Sequence, residues 1–499
     1  MKKSEMKFLF LIPVLTTLCL ISAAAELAPL RVKDGKVMAG DREIRLRGIN
    51  WGWWHDSGTR YTEEEMKRQA EWGANVLRLT IRYTDVANAD GSWNEERAAA
   101  VDEVVAWAGK HGQYVIIDMH EVPGGQTPIH YCVGGKNEFW KEAKFQEQFI
   151  ELWKKLAERY RNTPAVGAYE LMNEPGTVPP DPKLTAELQR RAIEAIRAID
   201  PDKMIVVTGD NWSNYQSSLS DVVLQKDPNI LYTIHFYPDA WSSWLHNVGE
   251  DKGVSGTRDW FFFELPVPVP ADTYNPELSI ILRSTNNEGT AWFDDVVMTD
   301  DRGKVIHSFG FDEGIERFSI ERSTFGVLEY DAAVGHTRPG SLRISGTNSY
   351  NSWMSPRWKV EPGKTYKLSG WIKLEKGTGS TYIGASLFSL RRSTLEQLRD
   401  ALKPAAAFAK KYNVPIFVGE FSIIRDSGPE GYQATAIADR IRVMEEQNFH
   451  WTYWNYRETT GPGTMALHAQ KKDGSDYPIN EPLLKVLKEG WKRNAEPLR

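Results

Sequence analysis

The chain has 499 residues, 41% of them apolar and 26% charged, an ordinary balance for a folded soluble protein and too long for one small domain. Its formal net charge is −6 and no basic stripe breaks the pattern, which excludes nucleic acid as a partner.

The N-terminus reads as an export signal. Lys2, Lys3 and Lys7 precede an apolar run from Phe8 to Ile21, and Ala23-Ala24-Ala25 offers a small-residue cleavage site before Glu26. An uncleaved anchor is the alternative, but a run of about 14 residues is short for a membrane span. Residues 1–25 are therefore set aside as a signal peptide, and the mature chain is expected to be secreted, with no membrane contact after cleavage. Of the two cysteines, Cys19 lies in the signal, which leaves Cys132 alone. A secreted chain with one thiol has no internal disulfide, so Cys132 is read as a small hydrophobe.

From residue 27 a hairpin is predicted around Asp34-Gly35, with a second turn at Gly40-Asp41. Apolar strand patterns follow at 46–52, 75–81, 114–119, 166–172, 204–209 and 230–236, and again at 415–419 and 451–455. Thr62-Glu63-Glu64-Glu65 begins a helix with a capping box. The 3.6-residue apolar period predicts further helices over 94–110, 138–160, 185–199 and 430–447. Eight strands alternating with helices predict an α/β fold, a closed (β/α)8 TIM barrel. The alternation stops after Tyr237. Short alternating strands at 277–283, 290–298, 341–345, 364–373 and 382–389, punctuated by Gly, Asn, Asp and Pro, predict an antiparallel β-sandwich. The barrel pattern resumes at Ser393-Thr394-Leu395-Glu396, read as a second capping box. The organisation expected is a barrel over 26–242 and 392–499, with a β-sandwich (jelly-roll) domain over 243–391 inserted after strand six.

Chemistry in such a barrel sits at the C-terminal ends of the strands. Strand four runs into Leu171-Met172-Asn173-Glu174-Pro175, and strand seven, Val414 to Gly419, ends in Glu420. Two strand-end glutamates suit glycoside hydrolysis with retention, one as acid/base and one as nucleophile. Burial against an apolar wall would keep the first protonated, and a neighbouring Arg would favour the charged form of the second. The other strand ends offer Trp54, Arg78, His120 with Glu121, Trp212, His235, Tyr237 and Trp454. His120, Glu121 and His235 could compete as metal ligands, but no second pair has ligand spacing.

In this order, Asn-Glu-Pro, His-x-Tyr, Glu after an apolar strand and a late Trp resemble glycoside hydrolase family 5, the cellulase and mannanase family. The resemblance covers the whole barrel. It implies Glu174 as acid/base and Glu420 as nucleophile, with no cofactor for catalysis. It further implies that Asn173 binds the sugar 2-OH and that His120 and His235 line the cleavage point. Arg78 and Tyr237 would orient the nucleophile, Trp454 would form a sugar platform, and Trp54 and Trp212 would add substrate contacts. The substrate expected is a polysaccharide or oligosaccharide, first a β-1,4-glucan cut internally, then β-mannan. The loop from Asp118 to Gln126 also resembles that of β-1,3-glucanases, and exo action stays open. A non-catalytic glycan-binding protein is the reading of another class. A monomer is expected.

The insert resembles jelly-roll carbohydrate-binding modules in three stretches, 289–296, 309–314 and 362–371, with the closing motif first, as in a circular permutation. That resemblance implies a structural Ca²⁺ held by Asp294 and Asp312; the alternative is that both acids cap turns. Trp353, Trp358, Trp371, Tyr350 and Tyr382 are candidates for a glycan platform and equally for sandwich core. The insert is read as binding glycan, as walling the cleft beside Trp241 and Trp244, or as structural.

Overall fold

A three-stranded antiparallel sheet opens the chain: β1 (Leu30–Lys33), β2 (Lys36–Ala39) and β3 (Arg42–Glu43). Asp34 and Gly35 both take positive φ, 50° and 74°, the signature of the tight turn their sequence predicts. The structure, a computed structural model, describes residues 27–52, 61–127, 137–221, 227–238, 246–271, 273–323, 326–390, 393–423, 431–458, 465–469 and 478–496.

The barrel strands come next: β4 (Arg47–Trp51), β5 (Val76–Arg82), β6 (Tyr114–Glu121), β7 (Val166–Glu170), β8 (Met204–Val207) and β9 (Ile230–His235). Nine strands of the insert intervene: β10 (His246–Val248), β11 (Val254–Pro268), β12 (Tyr274–Thr299), β13 (Val305–Phe309), β14 (Ser319–Ser323), β15 (Val327–Asp331), β16 (Ser341–Met354), β17 (Trp358–Lys359) and β18 (Thr365–Leu390). Then β19 (Ile416–Glu420) and β20 (His450–Tyr453) complete the barrel. All eight barrel strands are parallel, and β19 pairs with β9 to close the ring. They are buried along almost their whole length and read as largely apolar runs because both faces are covered, by the barrel interior and by the helices outside.

The helices are α1 (Glu63–Glu71), α2 (Glu95–Lys110), α3 (Ala143–Tyr160), α4 (Pro182–Arg197), the short α5 (Ser218–Asp221), α6 (Leu395–Tyr412), α7 (Tyr432–Glu446) and α8 (Glu481–Lys492). The Thr62/Glu65 capping box forms, with the Thr62 N–H donating to Glu65 at 2.8 Å. Three expected boundaries move. Helix α3 starts at Ala143 rather than 138, because Phe139 and Trp140 are buried in an irregular turn where the Trp140 ring N–H donates to the Gln126 carbonyl. Helix α4 starts earlier than 185, with Asp181 as cap and Pro182 in the first turn. The second capping box is Thr394/Gln397, one residue beyond Ser393/Glu396.

In the insert the strand pairs expected as separate are fused. Residues 277–283 and 290–298 lie in the one 26-residue strand β12, and 364–373 and 382–389 in the 26-residue β18. The polar, glycine-containing stretches between them are not turns: β12 and β18 keep one register across them, and the irregularities lie in their pairing with β16 and β11. A Cβ on Gly379 would fall 1.9 Å from the Thr285 carbonyl oxygen, and one on Gly289 2.2 Å from that of Glu375. Glycine is needed there because two backbones touch. The result is one nine-stranded antiparallel sheet bent onto itself. Ile383 Cδ1 lies 2.6 Å from where a Cβ on Gly370 would sit. A straight strand would hold those two residues roughly 40 Å apart. Leu278, Phe293, Leu342, Leu368 and Ile383 share the core inside the bend. Trp353 and Tyr382 belong to that core, Trp358 is partly buried against it, and Trp371, half-buried, lies outside it with the His336 ring stacked on it at 3.8 Å. Tyr350, as a side chain, and Trp241 and Trp244 lie outside the described residues.

Candidate active site

Seven of the ten barrel residues singled out in the sequence meet at the C-terminal mouth of the barrel. Arg78 comes from β5, His120 from β6, Asn173 and Glu174 from the turn after β7, His235 from β9 with Tyr237 just beyond, and Glu420 from the end of β19. The turn after β7 is strained: Glu174 has φ of 40°, in the left-handed region that a branched or charged side chain seldom occupies. Gln126 braces it from below, donating to the carbonyls of His120 and Asn173 at 2.7 and 2.8 Å, and the Thr127 hydroxyl donates to that of Glu174 at 2.8 Å. The Asp118–Gln126 stretch, whose sequence suggests a linkage-reading loop, thus ends in a fully buried structural brace at Gln126.

Arg78 organises the floor. It is inaccessible to solvent, and each edge of its guanidinium is spoken for. Nη1 donates to Glu420 Oε1 at 2.7 Å and to Asn50 Oδ1 at 3.0 Å. Nε and Nη2 form a bidentate pair with Glu170, at 2.7 and 2.9 Å. Nη2 also donates to Asn173 Oδ1 at 2.9 Å and lies 3.0 Å from Asp118 Oδ2. Tyr237 donates its hydroxyl to the other Glu420 oxygen at 2.9 Å. Both oxygens of Glu420 are therefore fixed by donors, which points the carboxylate and holds it still. Burial, reinforced by Glu420 and Glu174, pushes the Tyr237 hydroxyl well above its ordinary range, so it stays a donor.

The two histidines are kept neutral. Burial brings His120 and His235 down to about 4, against the pull of nearby carboxylates. His120 Nδ1 lies 2.7 Å from Asp118 Oδ2, and Asn173 Nδ2 lies 3.3 Å from His120 Nε2. A neutral ring that donates from Nδ1 to Asp118 leaves Nε2 to accept from Asn173. Because Asn173 Oδ1 accepts from Arg78, its amide has one orientation that satisfies both neighbours. Burial also raises the Asp118 carboxyl to about 7 despite Arg78. His235 Nδ1 sits 2.6 Å from Glu174 Oε1 and 3.5 Å from Glu420 Oε2, bridging the two glutamates. Among the described residues, Glu174, His235 and Glu420 form a cluster whose ligand-type atoms all lie within 4.8 Å of one another.

Trp454 is at the rim, its ring stacked on His120 with centroids 5.4 Å apart and planes 11° from parallel. Trp212 is half-buried beside the Asn173-Glu174 turn, its backbone N–H donating to the Pro175 carbonyl at 2.9 Å. It belongs to three successive left-handed residues, Asn211, Trp212 and Ser213, a strained run of the kind held at functional sites. Trp54 and Cys132 lie outside the described residues. Glu121, which follows His120 at the end of β6, is buried, 6% exposed. The sequence reading missed Glu170, Asp118 and Asn50 as parts of the site. Their signal was present in polar residues interrupting otherwise apolar strands, where a buried charge must have a partner.

The two acids expected to hold calcium, Asp294 and Asp312, lie near each other and near Asp295. Asp294 spends one carboxylate oxygen on the Asp295 N–H at 2.7 Å and the other on the His336 N–H at 2.6 Å, so it caps a turn. Asp312 is partly exposed and faces Arg338 at 3.5 Å.

Comparison with known proteins adds a family match. Residues 37–262 fit the family model described as Cellulase (glycosyl hydrolase family 5). That stretch ends before β19, so the placement of Glu420 rests on the geometry above. The chain is 28% identical over 201 residues to Endoglucanase C of Acetivibrio thermocellus, covering 38% of this chain and 57% of that one. It is 28% identical over 279 residues to Endoglucanase N of Pectobacterium atrosepticum, covering 53% and 56%. The chain thus spans a little over half the length of these curated relatives. The structure of endoglucanase Cel5A from Thermotoga maritima overlays on 88% of this chain and 96% of its own, with a TM-score of 0.49 at 18% identity.

Proposed function

We propose that the barrel of this chain, whose residues 37–262 match the glycosyl hydrolase family 5 cellulase model, is a secreted, retaining endo-β-glycanase acting on β-1,4-glucan. The observation that carries the mechanism is the closeness of the glutamates, an oxygen of each lying within 4.8 Å of the other. Retaining enzymes hold their carboxyl groups about 5–5.5 Å apart, whereas inverting ones leave about 6.5–9.5 Å for a water. Glu420, gripped by Arg78 and Tyr237, attacks the anomeric carbon as the glycosidic C–O bond breaks. Glu174 gives its proton to the departing oxygen. A covalent glycosyl ester on Glu420 remains. Glu174, now a base, takes a proton from water, whose oxygen attacks the same carbon and releases Glu420. Asn173, with its amide orientation fixed, is placed to meet the sugar 2-OH, and the Trp454 ring offers a flat face for sugar C–H groups.

The backbone preference rests on the names of the relatives, two of which are endoglucanases. Purified mature chain incubated with carboxymethyl-cellulose, barley β-glucan, galactomannan and laminarin tests it. A ladder of oligosaccharides from the first two is expected. A ladder only from galactomannan or laminarin would move the substrate to β-mannan or β-1,3-glucan, and no product from any polymer would overturn the glycanase reading. Export is tested in the same preparation by N-terminal sequencing, with Glu26 expected as the first residue of the secreted form.

The insert is read here as a glycan-holding surface. Phe262, 53% exposed, faces Trp371 across β11 and β18 with centroids 5.5 Å apart, and Trp260 stands two residues along the same strand. Rings of this kind on an outer sheet face suit sugar stacking. Replacing Phe262 and Trp371 together by Ala is expected to lower retention of the chain on insoluble cellulose. Unchanged retention would contradict this role.

A further inference from the structure

Glu170 lies at the end of β7, four residues before the acid/base, and is 1% exposed. Nothing about hydrolysis requires a carboxylate there, yet burying one is costly unless it has a partner. Its partner is Arg78, which it grips through both Nε and Nη2. Around it lie Asp118, its register neighbour on β6; Val206, apolar, on β8; and His235 on β9. One guanidinium thus faces three carboxylates, Asp118, Glu170 and Glu420, all buried. The planar fork of an Arg can be clamped on one edge and still present the other in a fixed direction.

We propose that Glu170 is a positioning residue for the reaction: by clamping the Nε/Nη2 edge of Arg78 it turns the Nη1 edge onto Glu420 and sets how much of the guanidinium charge the nucleophile receives. Without Glu170, the Nε edge of Arg78 loses its clamp, Asn50, Asn173 and Asp118 hold the guanidinium less tightly in direction, and its charge is shared by fewer acids. Burial outweighs Arg78 and raises the Glu170 carboxyl, in keeping with a group whose charge is tolerated only for its partner. Asp118 faces the same guanidinium but already serves His120, so it cannot replace the bidentate clamp.

The inference rests on the glycanase reading, and kcat and KM measured across pH separate the two. Wild type is assayed first on a soluble glucan; an inactive wild type would sink the glycanase reading and leave Glu170 aside. With an active wild type, Glu170→Gln removes one negative charge from the cluster. Both limbs of the bell-shaped profile are then expected to move to lower pH, by about one unit. The maximum kcat is expected to fall by about 10²-fold, the size of effect that a misplaced catalytic group produces, with KM little changed. Glu170→Asp restores the charge but draws it back by one methylene, so the bell should return to its wild-type position with a kcat still below wild type. A packing defect would lower the whole curve without moving it. An unshifted bell in E170Q, or a wild-type kcat in E170D, would overturn the proposal; the E170D result stands even if E170Q does not fold.

Discussion

Glu420→Gln is expected to abolish turnover, by on the order of 10⁵-fold, because no other group near the anomeric carbon can form the glycosyl ester. The amide is isosteric: its oxygen can accept from Arg78 while its NH2 donates to the Tyr237 oxygen, so the fold and sugar binding should persist. Glu174→Gln should behave differently. Losing the general acid costs roughly 10²–10⁴-fold on a natural glycan. On an aryl glycoside with a good leaving group the first step no longer needs that proton, so a burst of released phenol should precede a slow steady state. A small anionic nucleophile such as azide, which needs no base, should speed the second step in the Glu174 variant and give the β-glycosyl azide, whereas any azide product of the Glu420 variant should be the α anomer. Steady-state and burst kinetics of the two variants, side by side, check the assignment. Full activity in either variant, or a β-glycosyl azide formed by Glu420→Gln, would refute it.

Arg78 is the second site of large effect. It is the cation at the centre of three buried carboxylates, and Arg78→Met would leave Asp118, Glu170 and Glu420 facing one another with no counter-charge. Removing one partner of a buried ion pair costs about 3–5 kcal/mol. Chemical denaturation should show a loss of that order, together with loss of activity. Arg78→Lys keeps the charge but not the planar fork. It should fold, retain more stability than the Met variant, and still lose about 10²-fold in kcat because Glu420 is no longer aimed. Equal stability of the Met variant and wild type would mean that the acids carry no charge in the folded state.

The barrel was legible because its signals are local and repeated. Strands such as Met204–Val207 are apolar throughout, and helices between the strands carry caps such as Thr62/Glu65 and Asn94. The two glutamates followed, since strand ends in a barrel gather at one mouth. What the sequence hid depends on contacts across the fold. Glu170 reads as one more strand residue until Arg78 is seen gripping it from another strand. Gly289 and Gly379 read as turn residues, and only the crossing of β12 and β18 shows that they are close contacts within long strands. Trp353 and Tyr382 were as good platform candidates as Trp371, because alternation along a strand does not say which face is covered.

The claim at the centre of this account is that Glu174 and Glu420 act together by double displacement. The stereochemistry of the first product tests it most directly. Proton NMR of a soluble cello-oligosaccharide, recorded within the first moments of cleavage and before mutarotation, reports which anomer leaves the enzyme. The β anomer should appear first and the α anomer only as the sugar equilibrates. An α anomer released first would mean a single displacement by water, which glutamates this close together do not accommodate.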